Sequence, residues 1–575
     1  MDLEQGTLMR RSCLAIVLLL MYVPAWGATY YVDATSGNDS NPGTATNNAW
    51  KTISRVNTST FSAGDSILFK RGGTWREQLT VSSSGSAGNP ITFGTYGTGA
   101  DPIITGTNLV KPGTSWADHG ANIWKATGIT TEPRVVLFNR DVGNKKTAAT
   151  LISAKDWYLE SNILYVYSTS DPDTAYTNPG IEIGQRDHVV YSTGKSYYSI
   201  KNLHTLGSNK YNVYIDDTSS NIELNGVTVK GSHSLGLVHH SLDTVSYVTI
   251  DGCTFAYNGA VGIFITAKSN NWLVQNNTLY NNGFTYETSG DNLWGAGIYM
   301  SQDTNTKLNI IQNNEVYYTG YKDSGTTRVK DANVKGFGIW MDTNNAGSFA
   351  NANIVRYNKV HHNADSGLYS EKSQYGLWYY NLSYSNGEYG LRIDADVNGP
   401  PVANNRFYNN TIYGNNNGIY ASGGWGTTRN NCYNNTIQNN ISIGNTARQL
   451  IAKWGCENDG VYGYGNVYTY NSFGAQSLNF IEWGNGIYKS NYDAWETAYG
   501  SITNSIEATP TFASSSTPDF HLKADSSGIN AGTDVGLHKD YAGNPVPRES
   551  APDIGAYEFN PLSAAPAAPS NLSVH

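Results

Sequence analysis

Charge is scarce in this 575-residue chain. Asp, Glu, Lys and Arg make up 14% of it, and 37 basic against 46 acidic residues leave a net charge of −9. A surface of that sign repels phosphate backbones and argues against nucleic acid as a partner. It also mildly disfavours polyanionic substrates, unless a local basic patch or Ca²⁺ overrides it. Cysteine is limited to four residues, and no Cys/His spacing suits zinc. The apolar run Leu14–Tyr22 is too short to cross a bilayer, so no membrane span is expected. No stretch between 212 and 425 holds a long 3.6-residue period, which argues against helices there. What is abundant is Gly (60), Tyr (41) and recurrent Asn, a turn-rich, aromatic, weakly charged all-β composition.

Between Asn212 and Trp425 one short phrase recurs. It starts at Asn212, Gly236, Gly262, Gly297, Gly338, Gly367, Gly390 and Gly418, at spacings of 24, 26, 35, 41, 29, 23 and 28 residues. A minimum near 23 with occasional insertions marks a solenoid with one coil per repeat. Each phrase alternates as a strand does. The inward set is aliphatic: Ile263 and Ile265, Ile298 and Met300, Ile339 and Met341, Leu391 and Ile393. A second track, Asn225, Asn277, Asn314, Asn358, Asn381, Asn410 and Asn435, with Cys253 in the same place in its coil, predicts an internal amide ladder at one corner. The expected fold is all-β, a right-handed parallel β-helix with a small antiparallel β-subdomain inserted.

The outward positions carry the functional argument. Two residues into each phrase stand Tyr214, Val238, Phe264, Tyr299, Trp340, Tyr369, Arg392 and Tyr420. Four residues in stand Asp216, His240, Thr266, Ser301, Asp342, Glu371, Asp394 and Ser422. Equivalent positions stack about 4.8 Å apart per coil. Asp342, Glu371 and Asp394 are therefore expected as a carboxylate column beside a column of exposed aromatics. Stacked like charges cost stability unless protonated, metal-bound or used in chemistry.

In chain order, residues 1–27 read as a secretory signal: Arg10 and Arg11 before the apolar core, then Ala25, Trp26 and Gly27 as a small-x-small cleavage site. The mature chain is expected to begin at Ala28 and to be extracellular. Residues 28–106 read as cap and first coils, with a short helix over Trp50–Val56 covering the open end. Residues 107–182 read as the antiparallel insertion, a candidate cleft wall, with the repeat resuming near Glu182. The main helix follows to 500, a closing element to 560 and a Pro/Ala/Ser-rich linker to 575. A Cys432–Cys456 bridge is an open alternative; Cys253 reads as a buried structural thiol. Insertions at 284–296 and 317–335 precede the acidic column, so Glu287, Asp291, Trp294 and Lys330 are placed to reach over it.

Thr29–Asp33 with Gly37–Gly43 and Trp50–Ile53, and the ending Asp519–Leu522, Ile529–Gly532, Asp540–Asn544 and Pro552–Glu558, resemble the opening and closing motifs of secreted bacterial β-helix carbohydrate-active proteins, the pectate-lyase-like superfamily. The resemblance implies polysaccharide lyases, glycoside hydrolases or uronan epimerases. An inserted β-subdomain followed by Asp342 and Glu371 on successive coils is similar to β-helix glycosidases of the β-xylosidase kind. The Asn-Thr-Asp and Arg-x-Lys motifs of polygalacturonases and the Asp-Pro-His-Asp motif of alginate epimerases are missing.

The leading expectation is a monomeric glycoside hydrolase acting on a polysaccharide. Paired carboxyls near 5 Å serve retention and roughly 6.5–9.5 Å serve inversion. Glu371, between two carboxylates, would be acid/base, with Asp342 or Asp394 its partner. Tyr299, Trp340, Tyr369, Trp294, Arg392 and Asp396 would contact sugar. No cofactor is required on this reading. The alternative is a lyase or epimerase using Lys372 and Arg392, resembling the chondroitinase B-like lyases, with calcium held by Asp342, Glu371, Asp394 and Asp396. Lys372 has the opposite strand parity to Glu371 and reaches that face only if the strand ends there. The third reading is a non-catalytic glycan-binding or adhesin solenoid. His239–His240 and His361–His362 read as turn residues.

Overall fold

The computed structural model describes residues 27–110, 116–239, 243–284, 294–303, 306–324, 327–330, 335–395, 399–425, 428–429 and 431–561. The expected leader, Glu287, Asp291, His240, Asp396 and the linker from 562 onward lie outside these.

The alternating phrases wind into parallel coils, and each full coil gives one strand to each of three long sheets. The first sheet has 13 strands from Thr29–Val32 to Val467–Thr469. The second has 11, from Thr74–Trp75 to Ile441–Ile443. The third has 13, from Leu79–Thr80 to Tyr488–Lys489. This is an all-β, right-handed parallel β-helix, the hand that parallel crossovers adopt. Its register follows the phrases: Ile263, Ile298, Ile339, Leu368, Leu391 and Ile419 pair in sequence along the third sheet. All six are fully buried, each contributing roughly 1.5–3 kcal/mol by leaving water. The core they begin runs unbroken from Val32 to Trp495.

Both ends of that core are covered. Thr52 caps the helix Ile53–Asn57 by accepting from the Arg55 amide, and Trp50, Ile53 and Val56 plug the first coil. At the far end the helix Tyr492–Tyr499, capped by Asn491, buries Tyr492 and Trp495.

The corner amides form ladders, but their membership differs from the expected track. Asn277, Asn314, Asn358, Asn381 and Asn410 donate Nδ2 to the next Oδ1 at 2.9–3.0 Å, and the run continues to Asn440 and Asn471. Asn435 belongs instead to a parallel ladder with Asn405 and Asn466. In the earliest coils Val227 and Cys253, not Asn225, hold the ladder position: the Val227 amide meets the Cys253 Sγ, and the Cys253 amide donates to Asn277. Cys253 is buried and unbridged, whereas Cys432 and Cys456 form a disulfide.

The insertion folds as a four-stranded and a five-stranded sheet, almost wholly antiparallel. Ile181–Gly184 still belongs to it, so the coils resume at His188–Thr193. It packs through Val135 and Leu137 on Ile103 and Leu206 of the second sheet. After the last coil the chain turns back over that sheet. The hairpin Phe512–Ser514 with Asp519–Leu522 packs on Tyr384 and Ile443, and the Gly555 amide donates to the Asn439 carbonyl.

Candidate active site

Four successive strands of the third sheet build one cleft: β1 (Gly295–Asp303), β2 (Gly336–Asn344), β3 (Leu368–Glu371) and β4 (Tyr389–Asp394). Their register aligns Tyr299, Trp340, Tyr369 and Arg392 in one column and Ser301, Asp342, Glu371 and Asp394 in the next. A cavity of about 470 Å³ opens there, lined by Asp342, Glu371, Lys372, Arg392 and the aromatics Trp294, Tyr299, Trp340 and Tyr369. Lys335 and Phe337 complete its lining. Sequence reasoning missed both: Lys335 ends an insertion, and Phe337 precedes a repeat glycine on a position with no assigned role.

The three stacked carboxyls differ in surroundings. Asp342 Oδ2 accepts from the Tyr299 hydroxyl at 3.0 Å, and Oδ1 accepts from the Thr343 hydroxyl at 2.6 Å. Glu371 Oε2 accepts from the Trp340 indole N–H at 3.0 Å. Asp394 is fully buried and does not line the cavity. Its Oδ2 accepts from Arg392 Nε at 3.2 Å and NH2 at 2.7 Å. The two outward residues of β4 thus bind one another; Asp394 stays out of the cavity lining, while Arg392 remains part of it. Arg392 also lies on the Tyr369 ring, 4.4 Å from its centroid.

Burial is the main reason that the Glu371 carboxyl rises to about 7, and the charge of Asp342 adds to it. The Lys372 and Arg392 charges oppose the rise, and Asp394 adds the least. The flanking carboxylates alone predict the same direction, but desolvation is the larger cause.

Lys372 enters the site. Strand β3 ends at Glu371, and Lys372 turns into the left-handed region with φ 47°. Its Nζ comes 3.6 Å from Asp342 Oδ1 and 3.6 Å from Glu371 Oε1. The two oxygens are therefore separated by at most twice that distance.

The aromatic column is not the exposed ladder expected. Phe264, Tyr299, Trp340 and Tyr369 stack face to face, with centroids at 4.9, 4.1 and 5.6 Å. One-coil spacing places each ring on the next, so the faces a sugar would use are occupied by neighbours. Trp294, 41% exposed at the cavity lip with Lys335 over its ring, retains open surface. Lys330 lies on a hairpin with Tyr321–Ser324. His239 is buried against Ser269, and His361 bonds Glu315 and stacks on Tyr317, away from the cavity. The insertion contributes no residue to this lining; it walls a second, smaller cavity with Lys230 and Tyr257. Among the described residues no group of three or more His, Cys, Asp and Glu is placed to hold a metal ion.

A family model for the right handed beta helix region matches residues 188–352. A lacto-N-biosidase of Bifidobacterium longum subsp. longum is 23% identical, the alignment covering 93% of this chain and 37% of the relative. The chain thus spans little more than a third of that relative's length. Similar solved structures include XylC with xylose (14% identity, 72% of this chain and 75% of that one, TM-score 0.48). A lacto-N-biosidase from Eubacterium ramulus (16%, 71% and 67%, TM-score 0.40) and a pectate lyase (15%, 93% and 96%, TM-score 0.46) are also similar.

Proposed function

We propose that the protein is a secreted glycoside hydrolase in which Glu371 is the general acid/base and Asp342 its partner. The observation that carries this is the pair itself: two cavity-lining carboxyls on adjacent coils, one of them held near 7 and so protonated over much of the neutral range. Glycoside cleavage needs this division of labour. The indole N–H occupies Glu371 Oε2, which leaves Oε1 to carry the proton toward the glycosidic oxygen. Asp342, anchored by two hydroxyl donors, would attack the anomeric carbon, and Glu371 would then deprotonate the water that releases the sugar. One-coil spacing of about 4.8 Å favours this retaining course. The likeness to a lacto-N-biosidase agrees with the class. The acidic, weakly charged chain and its leader motif support secretion.

Two observations weigh against elimination. Arg392 lines the cavity but is already bound to Asp394 and lies on the Tyr369 ring, so its charge is largely spent before a uronate carboxylate arrives. The Lys372 ammonium lies 3.6 Å from both Asp342 and Glu371, so the candidate base is engaged by two acidic groups rather than open toward a substrate proton. With Asp394 spent on Arg392, the four-carboxylate calcium set also loses a member. The test is digestion of neutral xylans and arabinans, xylo-oligosaccharides, lacto-N-type oligosaccharides, pectin, alginate and glycosaminoglycans. Reducing ends without new ultraviolet absorbance, lost in Glu371→Gln, are expected; absorbance from a new double bond would favour the lyase.

A further inference from the structure

We infer that Lys372 is a positioning residue whose ammonium acts as a built-in counter-cation between Asp342 and Glu371, in the place where a bound metal ion would otherwise have to separate two acidic groups at one-coil spacing. Its catalytic meaning rests on the glycosidase reading; the placement does not.

The lysine is held on purpose-built backbone. Its amide donates to the Asp394 carbonyl at 2.8 Å, and its φ of 47° swings the side chain out of the strand's alternation and back over the outward face. On the other side Gly399 backs its aliphatic stem: a Cβ there would lie 2.9 Å from Lys372 Cδ. The side chain is 15% exposed. Among the described residues, the charged groups within ion-pair distance of its ammonium are Asp342 from β2 and Glu371 from its own strand; Arg392 and Asp394 of β4 are bound to each other. Among the described residues, Lys372 thus contacts both cavity carboxyls. Its charge sits between the two acidic groups and offsets their mutual repulsion.

The test needs no substrate. The titration of Glu371, labelled with ¹³C in its carboxyl and assigned by loss of signal in Glu371→Gln, is followed in the wild type, Lys372→Met and Lys372→Arg. The Met variant is expected to titrate about 1 pH unit or more higher, and Arg to restore the wild-type value. With a hydrolysed substrate in hand, both limbs of the kcat/KM profile move upward in Lys372→Met. Activity of Lys372→Ala is regained with ethylammonium and not with ethanol, and chelator has no effect on the wild type. Unchanged Glu371 titration in a folded Lys372→Met protein overturns the inference. Absence of hydrolysis overturns the glycosidase reading alone.

Discussion

The Tyr299 ring lies on the Trp340 indole with centroids 4.1 Å apart, and each donates its polar hydrogen to a different carboxyl: Tyr299 to Asp342 at 3.0 Å, Trp340 to Glu371 at 3.0 Å. One stacked pair therefore orients both acidic groups. Stack and register have the same cause, the one-residue alignment of β1, β2 and β3.

Trp340→Phe keeps an aromatic in the stack but removes the indole N–H. Hydrolysis is expected to fall roughly tenfold, the equivalent of one hydrogen bond to a carboxyl, with thermal unfolding little changed. Kinetics beside a melting curve separate the two effects.

Arg392 and Asp394 form a buried pair whose members depend on each other. Arg392→Met strands Asp394 in the interior and should cost about 3–5 kcal/mol in urea unfolding. Arg392→Met with Asp394→Leu should regain much of it. Additive losses in the double variant would contradict the pairing.

The stability contributed by Glu371 and Glu558 should fall as pH rises from about 4.5 toward 7, while His204, lowered by burial to about 4, contributes in the opposite sense up to about 6.5. Glu371 and Glu558 both titrate near 7 in the folded chain, chiefly through burial, against an ordinary value of 4.5. Through these two groups the folded state then binds more protons than the unfolded one in that window, so the stability they give below 4.5 is lost as pH climbs. Denaturant midpoints across the window check this, and Glu371→Gln should flatten part of the slope.

Asn358 sits mid-ladder, accepting from Asn314 and donating to Asn381, with its Nδ2 also on the Ile311 carbonyl. Asn358→Leu leaves buried amides without partners and should cost about 2–4 kcal/mol. Asn435→Leu should break the other ladder instead, between Asn405 and Asn466.

The coils were legible because one short phrase carries its own alternation. Once Gly338, Gly367 and Gly390 are aligned, the inward aliphatics and the outward columns follow. The amide ladder was misindexed because Asn stands at several corners: Asn435 and Asn440 are five residues apart, and only strand pairing decides which continues from Asn410. Within the site, the column of Asp342, Glu371 and Asp394 was readable, and their inequality was not. Arg392 and Asp394 are outward neighbours on one strand, and whether the arginine turns to its own carboxylate depends on side-chain reach. Lys372 enters through a left-handed turn; parity forbids its position for as long as the strand continues. Alternation points the aromatics outward, while one-coil spacing lays them on one another and covers their faces.

The central claim, that Glu371 is the acid of a glycosidase, is tested most directly by the leaving-group dependence of Glu371→Gln. Glycosides with ordinary alcohol leaving groups should be cleaved at least 10³-fold more slowly than by the wild type. Dinitrophenyl glycosides, whose leaving group needs no proton, should keep a kcat/KM much closer to wild type, while their kcat falls because Glu371 also deprotonates the water that releases the sugar; the comparison is made on kcat/KM. An equal loss on both substrates, or none on either, would contradict the assignment.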